Sequence, residues 1–359
     1  MKAQCLSMDR ISSLHPTIKE NILCLLPIHE AARTSVLSKE WRYIWTKIPK
    51  LVFDEDTLAV STDEKQLSVM EQNYKTPSLR KDMNLMCKFF YAIYQILLAH
   101  QGPILEFILS VFSVDSCIEI DQILAYLSRQ NTVMKLTLEL QNEYKLPSSI
   151  FSLHQLTNLY LMFCKIDHVP RFSGFPSLTT LCLKNVSISK KSLRHLISNC
   201  PLLRNFSLFS EGMDIFDYGD NGATLIELLD CLHVVEHLTV SIWGLEDFFE
   251  GVRCSTRISN NITPPQILEL QASEIDSVTL EGYSDIWLEH LNEFAYVDLG
   301  DSKLNLELVK LILAKSPLLK KVRITLCNKV TKDEELKICK VLLRSPRASP
   351  MVDIIVEAW

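Results

Sequence analysis

Glycine is scarce in this chain, with 9 in 359 residues, and neither GxxxxGK nor GxGxxG occurs. A loop that cradles phosphate needs such glycines for close backbone approach, so P-loop and Rossmann nucleotide chemistry are excluded. No CxxC pair is present among an odd 11 cysteines, which speaks against both a zinc ribbon and a closed disulfide set. The opening residues MKAQCLSMDR carry no apolar signal core. The cysteines are therefore read as reduced thiols of a cytoplasmic and/or nuclear protein, many buried as small hydrophobes. For the same reason the sequons at Asn185, Asn205 and Asn261 are read as chance matches. No run of about 18 apolar residues exists, so no membrane-spanning helix and no membrane partner are expected. Positive charge is not in excess, with Lys+Arg 37 against Asp+Glu 43 and a formal net charge of −6. A nucleic-acid partner is not expected of such a balance. No G-x-S-x-G elbow occurs, and no histidine stands beside an obvious Ser or Cys nucleophile. Neither an enzyme nor a bound cofactor is expected.

What is present is apolar residues, 47% of the chain, in two arrangements. The first is a compact helical pattern over Asp9–Asp56. Pro16 opens a helix at a position where its missing N–H costs nothing. Ile18, Ile22, Leu23 and Leu26 follow as one apolar stripe, and Pro27 closes it. A second helix is expected over Glu30–Val36, with Ala31, Ala32 and Val36 facing inward. A third is expected after Ser38 as N-cap, carrying Trp41, Ile44, Trp45 and Ile48 up to Pro49. Three helices this short cannot cover Leu14, Ile22, Leu23, Val36 and Leu37 internally, and uncovered apolar side chains on a small module mark a partner interface.

The second arrangement is a six-residue pattern, apolar-x-x-apolar-x-apolar. It begins after a polar linker, Thr57–Lys81, and an apolar helix, Asn84–His100. It runs as Ile104/Phe107/Leu109, Val133/Leu136/Leu138, Leu156/Leu159/Leu161, Leu178/Leu181/Leu183, Leu203/Phe206/Leu208 and Val235/Leu238/Val240. It continues as Ile275/Val278/Leu280, Phe294/Val297/Leu299, Leu319/Val322/Ile324 and Met351/Ile354/Val356. Leu136, Leu159, Leu181 and Phe206 are 23, 22 and 25 residues apart, within the roughly 20–29-residue period of leucine-rich repeats. Cys164 and Cys327 each fall three residues past a hexad, where such repeats satisfy the turning backbone, and are read as structural. Cys200-Pro201-Leu202-Leu203 is echoed by Ser316-Pro317-Leu318-Leu319, each after a helical stretch, Leu193–Asn199 and Leu308–Lys315. The unit is helix, proline-marked turn, strand. No such unit buries its apolar face alone, so the units must stack.

The N-terminal pattern, above all Ala31-Ala32-Arg33-Thr34-Ser35-Val36-Leu37-Ser38-Lys39 followed by Trp41-Arg42, resembles the F-box of plant F-box proteins. Leu308–Lys320 and Leu342–Pro350 resemble the FBD region found after leucine-rich repeats in that family. The resemblance implies an α/β fold, an N-terminal three-helix F-box followed by an irregular leucine-rich-repeat solenoid with a parallel sheet backed by helices. It implies an F-box at 9–56, linker and helix at 57–102, repeats at 103–285 and FBD-like repeats at 286–359. It also implies docking onto a Skp-type adaptor and cullin of an SCF-type ubiquitin ligase through Leu14, Ile18, Ile22, Leu23, Leu26, Pro27, Val36, Leu37 and Trp41, which form or support the interface. One departure stands out: His15 pushes Pro16 one residue later than the family pattern. A scaffold whose degenerate F-box no longer engages the ligase is the alternative this motivates.

Alternation in the hexads turns the intervening residues outward. That stripe holds Lys135, Thr137, Asn158, Tyr160, Thr180, Asn205, Ser207, His237, Thr239, Ser277, Thr279, Tyr296, Asp298, Lys321 and Arg323. It is polar and nearly neutral, and suits a target protein; Asn158, Tyr160, Thr180, Asn205, Ser207, His237, Thr239, Tyr296, Asp298 and Arg323 are its candidate contacts. The loops Asp214–Asp220 and Arg253–Pro265 break the repeat and can rim that face. His233-Val234-Val235-Glu236-His237 matches H-x-x-E-H, a zinc-peptidase signature that requires one helical face. Val235, Leu238 and Val240 place these residues on a strand, so no metal is expected.

Overall fold

A computed structural model describes residues 11, 13–54, 77–111, 118–167, 174–210, 225–241, 287–300 and 303–358. It forms two compact units, Met1–Leu156 and Thr157–Trp359.

The first unit begins with α1 (Pro16–Leu23) and α2 (Ile28–Arg33). Pro16 opens α1 as expected, and His15 is its N-cap, its Nδ1 accepting from the Thr17 N–H at 3.4 Å. The residue that departs from the family pattern thus closes one of the helix's orphan donors. The second expected helix is split: α2 ends at Arg33, and a 3₁₀ turn, Thr34–Val36, follows. Ala31 is buried, but Val36 is 86% exposed instead of facing inward. The third expected α-helix does not form. Residues 39–44 wind as turns into a 3₁₀ turn, Trp45–Lys47. The Ser38 hydroxyl is buried without a hydrogen-bond partner, so it caps nothing. Trp41 and Ile48 are buried all the same, because short turns also bring i and i+3 to one side.

The chain then enters β1 (Lys50–Asp54), which pairs in parallel with β2 (Glu106–Ser110). Leu51 faces Phe107 and Phe53 faces Leu109 in register, and the Phe53 and Phe107 rings lie 5.5 Å apart. Ile48-x-x-Leu51-x-Phe53 is therefore itself a hexad, and the tail of the helical module supplies the first rung of the repeats. β3 (Lys135–Lys145) pairs with β2 on its other side. α3 (Pro77–Ala99) and α4 (Ile118–Gln130) complete the unit. α3 starts seven residues before the expected boundary, within the stretch read as linker; the rest of that linker lies outside the described residues. α4 buries Ile120, Ile123, Leu124 and Leu127, the i, i+3, i+4, i+7 stripe of an amphipathic helix, with Glu119 and Asp121 favourably placed in its first turn.

The second unit is a parallel sheet of β4 (Asn158–Ile166), β5 (Thr180–Lys184), β7 (Asn205–Phe209), β8 (His237–Ser241), β9 (Glu293–Leu299), β10 (Lys321–Leu326) and β11 (Asp353–Ala358), in that spatial order. The two-residue β6 (Ser187–Ile188) pairs beside it with β4. Its helices are α5 (Lys190–Ser198), α6 (Leu225–Asp230), α7 (Lys303–Lys315) and α8 (Lys332–Arg344). Ser189 caps α5, its Oγ accepting from the Ser192 N–H at 3.1 Å. α8 has a full capping box: Glu334 accepts from the Thr331 N–H and hydroxyl, both at 2.8 Å, and returns its own N–H to that hydroxyl. Those bonds hold the Glu334 carboxyl below its ordinary pKa.

One backbone motif ties successive strands. The carbonyl just before a strand accepts two consecutive N–H groups of the next repeat. Pro49 receives Leu105 and Glu106; Leu105 receives Met134 and Lys135. In the second unit the acceptors are Thr157, Thr179, Arg204, Glu236 and Asn292, and Lys320 receives Asp353. Pro49 lacks an N–H, yet among the described residues no strand pairs with β1 on its other side, so no donor is required of it there.

The hexad residues are buried as expected, with two corrections. Tyr296 was read as outward but is only 1% exposed, while Val297 is half-buried. The true hexad is Leu291/Phe294/Tyr296. Asp298 adopts a left-handed φ of +63°, and the register against β10 shifts there, so Leu299 also turns inward. Phe163 and Asn185 are left-handed at the same repeat position and send Cys164 and Val186 inward in the same way. Met351 is the second correction: it is 82% exposed, and Ile354 and Val356 are only half-buried, so the last hexad has no fully buried residue. Ile275/Val278/Leu280, Ser277, Thr279 and both rim loops lie outside the described residues.

Where the helical module meets the first repeat there is little slack. The Thr46 carbonyl accepts from the N–H groups of Gln101 and Gly102 at 2.8 and 3.3 Å, and His100 Nε2 bonds the Ile48 carbonyl at 2.9 Å. A Cβ at Gly102 would stand 2.9 Å from the Lys47 carbonyl oxygen. Backbone cannot yield there cheaply. Gly102→Ala should cost about 1–3 kcal/mol in urea unfolding; an unchanged midpoint would show that this junction is loose.

Candidate functional site

The N-terminal module divides its nine expected contact residues between two tasks. Leu23 and Trp41 are buried, Trp41 to 3% exposure, and form the floor. The buried Lys19 clamps them from α1: its Nζ lies 3.0 Å from Glu40 Oε2 and 5.7 Å from the Trp41 ring centre. Leu14 is half-buried. Ile18, Ile22, Leu26, Pro27, Val36 and Leu37 are exposed, Leu37 to 67%. The sequence reading missed Leu25, which is more exposed than Leu37, and Ile11 and Tyr43, which are also exposed. The signal for Leu25 was present: it falls off the α1 stripe that ends at Leu26. Leu25, Leu26 and Pro27 line a cleft whose other wall includes Val52 and Asp54 of β1.

On the second unit, register sorts the outward residues into rows. One row is Asn158, Thr180, Asn205, His237, Glu293, Lys321 and Asp353. The next is Tyr160, Cys182, Ser207, Thr239, Ala295, Arg323 and Ile355. Asn205 Nδ2 donates to Thr180 Oγ1 at 3.3 Å, and His237 Nδ1 lies 3.5 Å from Glu293 Oε2. The expected candidates Asn158, Tyr160, Thr180, Asn205, Ser207, His237, Thr239 and Arg323 thus share one face. Asp298 is half-buried at the bulge, and Tyr296 belongs to the core. Opposite charges adjoin along the first row, so the face has hydrogen-bonding capacity without a net field.

The H-x-x-E-H residues do not share a helical face. α6 stops at Asp230, His233 bonds the Asp230 carbonyl, and His237 stands on β8 with Glu236 directed to Arg204 at 3.6 Å. Among the described residues no group of three His, Cys, Asp or Glu is placed to hold a metal. Within the same residues no helix is long and apolar enough to cross a membrane.

Two family models match the sequence: the F-box domain over residues 11–53, and the LRR repeats of FBD-associated F-box protein At5g56370 over residues 122–254. Residues 11–53 are thus similar to an F-box, and residues 122–254 to FBD-associated leucine-rich repeats. Its relatives in Arabidopsis thaliana agree. It is 39% identical over 203 residues to F-box/FBD/LRR-repeat protein At1g13570, covering 56% of this chain and 44% of that one. It is 30% identical over 207 residues to putative F-box/LRR-repeat protein At4g15060, covering 55% and 43%. It is 26% identical over 298 residues to F-box/FBD/LRR-repeat protein At3g52680, covering 77% and 57%. The chain spans about half the length of the curated relatives it matches. Proteins of the F-box/LRR type are adaptors and not, in general, enzymes. The F-box model ends at Phe53, so the matched domain includes most of the strand that starts the repeats.

The repeat cysteines behave as core. Cys164 and Cys200 are buried, and burial pushes both thiols up to about 12. Cys182, on the outward face, is pushed up to about 11 by burial among its neighbours. Cys327, at the repeat position of Cys164, is only half-buried. A raised pKa keeps the thiol protonated at neutral pH and unreactive. In native protein, N-ethylmaleimide followed by mass spectrometry should, among the described cysteines, label exposed Cys87 first and reach Cys164 and Cys200 only after unfolding; early labelling of either would contradict their placement.

Proposed function

We propose that this chain is a substrate-recognition subunit of an SCF-type ubiquitin ligase. Its F-box would dock a Skp-type adaptor and through it a cullin, and its repeats would hold a target protein. The observation that carries this reading is the division of labour in the F-box. Ile18, Ile22, Leu25, Val36 and Leu37 stand exposed on a module too small to cover them, above a floor of Leu23 and Trp41. Exposed apolar side chains held on short helices are the ordinary form of a helix-face interface. His15 caps α1 and leaves that apolar set in place, which supports an F-box able to engage over a degenerate one.

The mechanism is proximity. The subunit performs no bond chemistry; it raises the effective concentration of a target beside the charged conjugating enzyme and fixes its orientation. The outward rows on the second unit, with Asn158, Tyr160, Thr180, Asn205, Ser207, His237, Thr239 and Arg323, are the proposed target face.

Co-purification with a plant Skp-type adaptor and cullin tests the docking arm. Val36→Ala/Leu37→Ala changes only exposed side chains, and should weaken adaptor binding about tenfold or more with the thermal midpoint unchanged. Trp41→Ala would report folding instead, since Trp41 is core. Binding that survives the double change would place the interface elsewhere. Absence of binding by the intact folded chain would favour a scaffold without a ligase.

A further inference from the structure

The C-terminal segment differs in charge from the rest of the chain. Residues 303–358 hold twelve Lys and Arg against six Asp and Glu, a formal +6, whereas the whole chain carries 37 against 43 and −6. The remaining residues therefore carry −12. Part of this positive charge lies on one face of α8. Ile338 and Leu342, at i and i+4, turn inward and are buried. Opposite them, Lys337, Lys340 and Arg344 follow at i, i+3 and i+7 and are all exposed. None of the three lies within ion-pair distance of a carboxylate among the described residues, although Lys337 acts at longer range on Glu334 one turn back. Beside this basic stripe stand Leu336 and Leu343, at i and i+7, 54% and 72% exposed. Just beyond the helix, Arg347 and Met351 are exposed as well.

A merely solvated helix face has no need of exposed leucines, and a core face has no need of unpaired cations. The two together have the form of a helix surface waiting for an amphipathic partner. We propose that this outer face of α8 is a docking site for an acidic amphipathic helix of another protein, with leucine-type side chains meeting Leu336 and Leu343 and carboxylates meeting Lys337, Lys340 and Arg344. The complementary charge argues for that occupant over a second copy, since a second copy would bring the same basic stripe to its own partner. The proposal stands apart from the F-box reading: α8 lies in the other unit and needs no adaptor.

The test uses the full chain and a fluorescent helical peptide of about four turns, with Glu at i, i+3 and i+7 beside Leu at i and i+7 of the adjoining stripe. A second peptide carries Lys in place of each Glu. Phosphatidylserine vesicles form a third arm. The acidic peptide should bind, and binding should weaken as NaCl is raised. The Lys peptide should not bind. Lys337→Gln/Lys340→Gln/Arg344→Gln should lose about tenfold in affinity, and Leu336→Ser/Leu343→Ser should lose a similar factor. Circular dichroism and the thermal midpoint should stay unchanged in both variants, because every altered side chain is exposed. No binding of the acidic peptide, or equal binding by the Gln variant, would overturn the proposal. So would α8-dependent capture of the vesicles in place of the peptide, which would assign the face to an anionic membrane surface. An α8-dependent dimer in sedimentation would assign it to a second copy and overturn it likewise.

Discussion

The carbonyl before each strand is the constraint from which the rest of the structure follows. It accepts two consecutive amides of the next repeat, at Pro49, Leu105, Thr157, Thr179, Arg204, Glu236 and Asn292. A buried backbone group left without a partner is costly, so once this double bond is made the register of the following strand has little freedom. Register in turn decides which side chains meet the helices and which form rows on the outer face. In-register parallel strands also keep like positions aligned from repeat to repeat, which is why Asn, Thr and His gather into one row and Leu and Phe into the core. Spacing between strands can vary, and long insertions can be carried, so long as each repeat returns to present those two amides.

The F-box is drawn into this scheme through its last residues. Its helices are short and poorly able to stand alone, and 3₁₀ turns replace the expected third helix. What they lack in internal packing is supplied by the first repeat: Ile48, Leu51 and Phe53 enter the core of the first unit, and Thr46, Ile48 and Pro49 offer carbonyls to the residues that follow α3. In the proposed ligase setting this has a mechanical value. A docking module rigidly fused to the first repeats loses less orientation than one on a flexible tether.

Much of this was legible in the sequence, and the exceptions have physical causes. Hexads such as Leu181/Leu183 and Phe206/Leu208 announce their burial because a strand has period two and nothing interrupts it. Tyr296 was misread because the bulge at Val297–Asp298 supplies a second inward position, and Phe294-x-x-Val297-x-Leu299 imitates a hexad that is offset by three residues. A left-handed residue leaves little trace when it is Phe163 and only a slight one when it is Asn185 or Asp298. Trp41, Ile44, Trp45 and Ile48 satisfy helical spacing, yet the turn that delivers Pro49 to the sheet leaves no room for a full α-helix. The strand Lys50–Asp54 was hidden because family resemblance assigned it to the helical module, although Ile48-x-x-Leu51-x-Phe53 already carried the repeat pattern. The outward set Asn158, Thr180, Asn205 and His237 followed from alternation alone. For Val36 the sequence offered both an inward place in its helix and a place in the uncovered apolar set, since an apolar residue on a two-turn segment fits either side; its exposure agrees with the second.

The central claim is that the F-box tail is the first rung of the repeat ladder and opens with it. Amide hydrogen exchange of the full chain, followed on peptides spanning Lys50–Asp54 and Glu106–Ser110, tests it most directly. The account predicts that both strands are protected and lose protection together as urea is added below the global transition. If Lys50–Asp54 exchanged freely while Glu106–Ser110 stayed protected, the F-box would be a separately tethered module and the account of a fused docking unit would fail.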